Sequence, residues 1–208
     1  MTGSVARRSY KLGRREATAA ERRSRVINAA RELLADEKGP PGFTVEAIAA
    51  AAGVARMTVY HQFQSKRGVL EALFDELANR GLVPHLGAVI HQPDPVLALD
   101  ALIDAFSAFW NSDRTVLRRA RALASLDLEI AESVRARDER RREHLSRILA
   151  RFPRGQALPP RELGALTDTL HVLTSFETFD GLLRGNRSFK ATVQIVRDLA
   201  SAVVRPVR

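Results

Sequence analysis

The sequence predicts an all-α protein, and three observations carry that expectation. Apolar residues recur at three- and four-residue spacing in one segment after another, as in helices that bury a single stripe. No segment reads as a convincing strand, with period-two alternation bounded by turn residues. Clusters of glycine and proline separate the segments at the points where helices would stop. Nine helices are expected.

The chain opens on a basic stretch. Arg7, Arg8, Lys11, Arg14, Arg15, Arg22, Arg23 and Arg25 face only Glu16 and Glu21 within the first 25 residues. Residues 1–17 read as a flexible basic arm, either solvated or lying along a polyanion. Thr18-Ala19-Ala20-Glu21 has capping-box spacing and predicts the start of the first helix. Val26, Ala30, Leu33 and Leu34 form its stripe, and Gly39-Pro40-Pro41-Gly42 ends it. Thr44 caps a short helix with Ile48, Ala49 and Ala52 inside, and Gly53 breaks it. A second short helix runs through Thr58, Val59 and Tyr60 to Phe63. Ser65 caps a longer one bearing Val69, Leu70, Leu73, Phe74 and Leu77, which fades near Gly81 and Pro84. Residues 81–95, with Pro84, Pro93 and Pro95, read as a junction. The domains expected are therefore an arm at 1–17, a first domain at 18–82 and a second at 83–208.

Beyond the junction the helices lengthen. Val96, Leu99, Ile103, Phe106 and Trp110 make one stripe, opposite Asp100, Asp104, Ser107 and Asn111. Helices follow at about 113–126 and 128–152, the latter ending at Phe152-Pro153. Val134, Leu145, Ile148 and Phe152 define its inner side, which also receives Asp138 and Arg141. Those two charges either pair at i, i+3 spacing or stand at the margin, or one points into a cavity. A helix at 160–184 carries two stripes, Val172, Phe176, Phe179 and Leu183 on one side and Leu163, Leu166, Leu170 and Leu173 on another. Two apolar faces need two covers, one from the same domain and one from a partner subunit. The last helix, capped by Ser188, buries Phe189, Val193, Val196, Ala200 and Val203. A homodimer through residues 160–184 and 188–205 is the expectation.

Composition narrows the function. The 208 residues hold 33 basic and 24 acidic side chains, a formal charge of +9 that favours a polyanionic partner. Cysteine is absent, which removes disulfides, thiolate metal sites and thiol redox chemistry. No apolar run is long enough for a membrane helix, and the N-terminus lacks the apolar core of a secretory signal, so a cytoplasmic location is expected. No HExxH, Gly-rich phosphate loop or nucleophile elbow occurs. Asp168 and His171 lie one turn apart, but two residues do not make a metal site. No catalytic residue, metal or cofactor is expected, and the chain does not read as an enzyme.

Two short helices joined at a glycine and flanked by longer ones form the helix-turn-helix pattern. Phe43-Thr44-Val45, Ile48-Ala49, Ala52-Gly53-Val54, Thr58-Val59-Tyr60, Phe63, Ser65-Lys66 and Leu70 stand at fixed, ungapped spacing. This stretch resembles the signature of TetR-type transcriptional regulators over residues 22–80, while residues 81–208 match only in size and helical character. The resemblance implies a double-stranded DNA operator as partner. It places Thr44 and Lys66 on phosphate, Arg56 and Met57 where bases are read, and Thr58, Tyr60 and His61 along the same DNA face. Arg56 is the strongest base reader, since its guanidinium fork matches guanine O6 and N7. Ala55, Met57 and Gln62 depart from the usual serine cap, glycine and aromatic residue. In the C-terminal domain the resemblance implies a cavity for a small, largely apolar effector, with Phe106, Phe109, Trp110, Arg141, His144, Phe176 and Phe179 as its candidate lining. His144 and His171 also read as ordinary structural histidines. The functional expectation is a repressor that a ligand releases from a near-palindromic operator; the alternatives are an architectural DNA binder without effector, or an activator.

Overall fold

The computed structural model describes residues 3–36 and 42–204, with side chains from Thr18 onward apart from residues 88 and 154. Among these residues every regular element is a helix: α1 (Gly3–Ala35), α2 (Val45–Ala52), α3 (Arg56–Phe63), α4 (Lys66–Gly81), α5 (Val83–His91), α6 (Pro95–Ser112), α7 (Arg114–Ala124), α8 (Leu128–Leu149), α9 (Pro153–Ala157), α10 (Pro160–Leu173), α11 (Phe176–Leu183) and α12 (Phe189–Val204).

The helical class agrees with the sequence, and the three additional helices each have a local cause. Residues 83–91 form α5 where the prolines suggested a junction, because Pro84 sits in the first turn, where its missing N–H has no partner to lose. Pro153 plays the same part in α9. The expected single helix over 160–184 is broken at Thr174-Ser175. Ser175 is extended and its hydroxyl accepts from the N–H of Thr178 at 3.2 Å, so a new helix starts there. The apolar spacing runs through the break and hid it.

The first helix also starts earlier than the capping box suggested. Its backbone is helical from Gly3, so Thr18 lies inside α1 and caps nothing. Residues 3–17 contain Ala, Arg, Lys, Leu and Glu without proline, a composition that continues a helix. The arm expected to be flexible is thus helical in its backbone, while its side chains lie outside the described residues, as do Gly39-Pro40-Pro41.

The chain divides into two compact units. The first comprises residues 1–75 together with 118–130; the second comprises 76–117 together with 131–208. The N-terminal unit buries Val26, Ala30, Leu34, Ile48, Val59, Leu70 and Leu73, and adds Ala120, Leu123 and Ile130 from its second segment. That segment is fastened by Arg119, whose Nη1 donates to the carbonyl of Leu34 at 3.0 Å, satisfying an orphan acceptor at the end of α1. The C-terminal unit buries Leu102, Ile103, Leu145, Leu149, Leu170, Phe176, Phe179, Val196 and Ala200.

Leu170 and Val196 belong to this protomer core, with 0% and 2% of their surface exposed. Breaking the helix at 174–175 lets α10 and α11 each bury a stripe within one chain. The large apolar side chains that α10 and α12 leave in solvent are Val172, Phe189 and Leu199.

Candidate nucleic-acid interface

The interface is built from α2, its turn and α3. Thr44 is extended, and its hydroxyl accepts from the N–H of Ala47 at 3.1 Å, fixing the start of α2. Gly53 sits at φ 62° and ψ 40°, the left-handed region that glycine enters without steric penalty. The turn returns the N–H groups of Gly53 and Val54 to the carbonyls of Ala50 and Ala49, at 3.2 and 3.0 Å. Ile48 and Val59 are fully buried beside the small side chains of Ala49 and Ala52, so the two helices are held by apolar packing. The N-cap of α3 is Ala55, which makes no side-chain bond, as its departure from serine predicts.

α3 then presents its first residues to solvent. Arg56 is exposed but not loose. Its Nε lies 2.9 Å from Oε1 of Glu46 on α2, its Nη2 donates to the Tyr60 hydroxyl at 3.0 Å, and its Cζ stands 5.2 Å from the Tyr60 ring centroid. The hydroxyl bond and then the Glu46 charge raise the guanidinium pKa further above its already high value. Met57 is 60% exposed, His61 and Thr44 are exposed, and Thr58 and Tyr60 are half-buried. Thr44, Arg56, Met57, Thr58, Tyr60 and His61 therefore belong to one small assembly of α2 and α3.

Lys66 is placed differently. Its ammonium lies 2.5 Å from Oδ2 of Asp127, and both side chains are largely shielded. The other carboxylate oxygen accepts from the N–H groups of Glu129 and Ile130 at 3.1 and 3.3 Å, which caps α8. The Lys66 bond, aided by these N–H groups, holds the Asp127 carboxyl below the usual carboxylate range, against an opposing contribution from burial. Where the resemblance implied a phosphate contact, the structure gives Lys66 an internal carboxylate 61 residues away.

Three residues of the assembly were not singled out from the sequence. Glu46 and Asp127 hold the two cations just described, and neither spacing is local enough to read. The third is Gly68. A Cβ there would stand 1.9 Å from the carbonyl oxygen of Phe63, so only glycine lets α4 start so close to the end of α3. Ser65 caps this start, its hydroxyl accepting from the N–H of Gly68 at 3.1 Å.

Five of the residues expected to line an effector cavity, Phe106, Phe109, Trp110, Arg141 and Phe176, pack against one another. Trp110 has the rings of Phe109, Phe106 and Phe176 at 4.9, 5.7 and 5.8 Å, and its indole N–H donates to the carbonyl of Thr174 at 3.1 Å. Arg141, 1% exposed, lies over Phe106 and Trp110 and donates from Nη1 to the carbonyl of His171 and the hydroxyl of Thr174, at 2.8 and 2.9 Å. Its i, i+3 bond to Asp138 is present but long, at 3.4 Å. The buried charge is thus met by the carboxyl end of α10 together with the Asp138 carboxylate. Nε2 of His171 is 3.1 Å from the carbonyl of Asp138; a carbonyl only accepts, so this nitrogen carries the proton. Burial lowers the pKa of His171 and of half-buried His144. Phe179 meets the edge of Phe189 at 5.8 Å. None of these residues lines the groove of about 790 Å³ that lies between α6, the start of α9 and α12. That groove has apolar walls from Val96, Leu99, Phe152 and Val204, with Asp100 and Arg197 among its polar groups. Burial raises the Asp100 pKa, against an opposing pull from Arg197, which itself pairs with Asp104.

The family described as bacterial regulatory proteins, tetR family, matches residues 26–73, the span from α1 into α4. The HTH-type transcriptional regulator EthR of Mycobacterium tuberculosis is 27% identical over 188 residues, covering 86% of this chain and 87% of that protein. A TetR-like transcriptional regulator from Rhodococcus sp. RHA1 shares the fold with a TM-score of 0.62 at 19% identity, over 86% of this chain and 93% of that one. A chain from Saccharomonospora viridis, solved in complex with choline, shares it with a TM-score of 0.64 at 17% identity, over 88% and 96%. The named relatives are transcriptional regulators, and no described helix is long and apolar enough to cross a membrane. Helix-turn-helix geometry, the domain match and similarity along most of the chain thus lead to one conclusion: residues 26–73 form a helix-turn-helix domain that matches the tetR family, on a chain similar to transcriptional regulators over most of its length.

Proposed function

We propose that the chain is a homodimeric repressor that a small, largely apolar effector releases from a near-palindromic operator. Residues 18–82 form its DNA-binding domain, joined by 118–130, and the rest of 83–208 forms the effector and dimer domain. The observation that carries the reading is the presentation of Arg56 and Met57, exposed at the first turn of a helix that a glycine turn and a small apolar core hold in place. A two-fold dimer places two such helices about 34–36 Å apart, one turn of DNA, or a small multiple of that. Arg56 reads a guanine in each half-site, and Thr44, Thr58, Tyr60 and His61 contact the backbone around it.

The effector site we propose is the groove beside α6, since the aromatic cluster is already filled. Phe152, on its wall, follows the end of α8, and Asp127 caps the start of the same helix while holding Lys66. A ligand that displaces α8 along this line shifts the carboxylate at the base of α4. Release needs unequal affinity for the two arrangements, because a ligand bound equally by both moves nothing.

Selection of duplexes from a random pool by the full-length protein tests the DNA half of the proposal. It should return an inverted repeat, and Arg56→Ala should lose about 1–3 kcal/mol of preference at one base pair per half-site. A sequence without two-fold symmetry would refute it. Trp110, the only tryptophan in the sequence, is an internal reporter for the effector half. A compound that releases DNA by shifting α6 should change its emission, and Val96→Trp, which fills the groove itself, should block release; release that persists in Val96→Trp would move the site away from the groove.

A further inference from the structure

We infer that Glu46 is a positioning residue for sequence reading, acting through Arg56; this rests on the proposal that Arg56 reads a base. A guanidinium has five N–H donors arranged along three edges. In Arg56 one edge is engaged: Nε is 2.9 Å from the Glu46 carboxylate and Nη2 donates to the Tyr60 hydroxyl at 3.0 Å. The ring of Tyr60 lies beneath the guanidinium, 5.2 Å from Cζ. The edge formed by Nη1 and the second N–H of Nη2 remains, and it is the pair of parallel donors that fits guanine O6 and N7.

Two physical consequences follow. The long side chain is held on the first turn of α3 before DNA arrives, so less rotamer freedom is lost when it docks on a base. The carboxylate also offsets the guanidinium charge. An unpaired arginine here would find a phosphate on any sequence, whereas the paired one gains most from a base that accepts two hydrogen bonds. Glu46 stands in the first turn of α2, where the helix N-terminus favours a negative charge, so its position does not depend on Arg56 alone. Glu46 therefore lowers affinity for DNA in general and raises the contrast between sequences.

Opposite signs make the test clear. The full-length protein and Glu46→Gln are titrated with the duplex that the wild type enriches from a random pool, and with a scrambled duplex of equal length. The expected result is tighter binding of Glu46→Gln to the scrambled duplex, with a salt slope steeper by about one per half-site. The ratio of the two affinities should fall by roughly 2- to 10-fold, the range for freeing one ordered side chain. Tyr60→Phe, which keeps the ring and removes the hydroxyl, should lower the ratio in the same direction. In an Arg56→Ala background the Glu46→Gln change should leave the ratio unaltered. If Glu46→Gln weakens both duplexes equally, or lowers the ratio as much without Arg56 as with it, the inference is overturned while base reading by Arg56 stands. If the wild type enriches no sequence, base reading and the inference fall together.

Discussion

Gly68 shows how one atom can decide a site. Alanine in place of a helical glycine ordinarily stabilises by up to about 1 kcal/mol. At Gly68 the new methyl would meet the Phe63 carbonyl oxygen at 1.9 Å, and backbone cannot swing aside as a side chain can. Crowding costs about 1–3 kcal/mol, so it outweighs the gain in propensity. Gly68→Ala should lower the thermal midpoint and displace the end of α3, weakening DNA binding beyond what the lost stability explains. An unchanged midpoint would show that α4 can retreat. His171 carries a prediction about pH. Burial, helped by the Arg141 charge and opposed by Asp138, lowers its folded pKa below the ordinary value of about 6.5. As pH falls through that value the unfolded chain takes up the proton first, so stability decreases until the lower folded pKa is passed. The midpoint should drop between pH 7.5 and 5.5, and His171→Gln should show a smaller drop, as read by calorimetry at both pH values. Residues of this kind differ in how well sequence reveals them. Gly53, Thr44 and Ser65 act on neighbours three or four positions away, and their roles were legible. Arg141 finds its partners 30 and 33 residues along the chain, and no local spacing announces them.

At the scale of elements, Asp127 does two jobs with two oxygens, and substitution can separate them. Asp127→Asn keeps a capping oxygen for α8 but loses the charge that holds Lys66. Asp127→Ala loses both. The alanine variant should therefore be less stable than the asparagine variant by about 1 kcal/mol, the usual worth of an N-cap. The contribution of the charge is present above the unfolded carboxyl pKa of about 3.9 and is lost as pH falls through the lower folded value. The wild-type and Asp127→Asn midpoints should thus be well separated at pH 6 and approach each other as pH falls below about 3.9. Parallel curves over that range would mean the ion pair contributes nothing. The same scale shows where reading by pattern stops. Proline suggested a linker at 81–95, yet Pro84 in a first turn is compatible with a helix. The stripes of 160–184 continue across Ser175, so periodicity alone could not find the cap that divides α10 from α11.

For the whole molecule, the proposed dimer makes a sharper prediction once protomer burial is known. A charge at Leu170 or Val196 enters the core of a single chain and should unfold it. Val172 and Leu199 are 62% and 44% exposed in one protomer, on α10 and α12. Burying such a side chain gains up to about 1.5–3 kcal/mol, and a two-fold axis counts it twice. Leu199→Glu should leave the helical content and protomer fold intact while sedimentation shifts from dimer to monomer. A wild type that sediments as a monomer at micromolar concentration would remove the proposal altogether.

The division of the N-terminal unit between residues 1–75 and 118–130 also bears on how the molecule comes into being. During synthesis, α1 to α4 leave the ribosome before the segment that completes their unit. At about 5–20 residues per second, the 55 residues between positions 75 and 130 take roughly 3–11 s to make. For most of that interval the carbonyl of Leu34 lacks Arg119 and the ammonium of Lys66 lacks Asp127. The helix-turn-helix end of the nascent chain therefore waits, unfinished, until α5, α6, α7 and the start of α8 have been translated. A polypeptide that stops short of residue 118 lacks the segment that completes its helix-turn-helix unit.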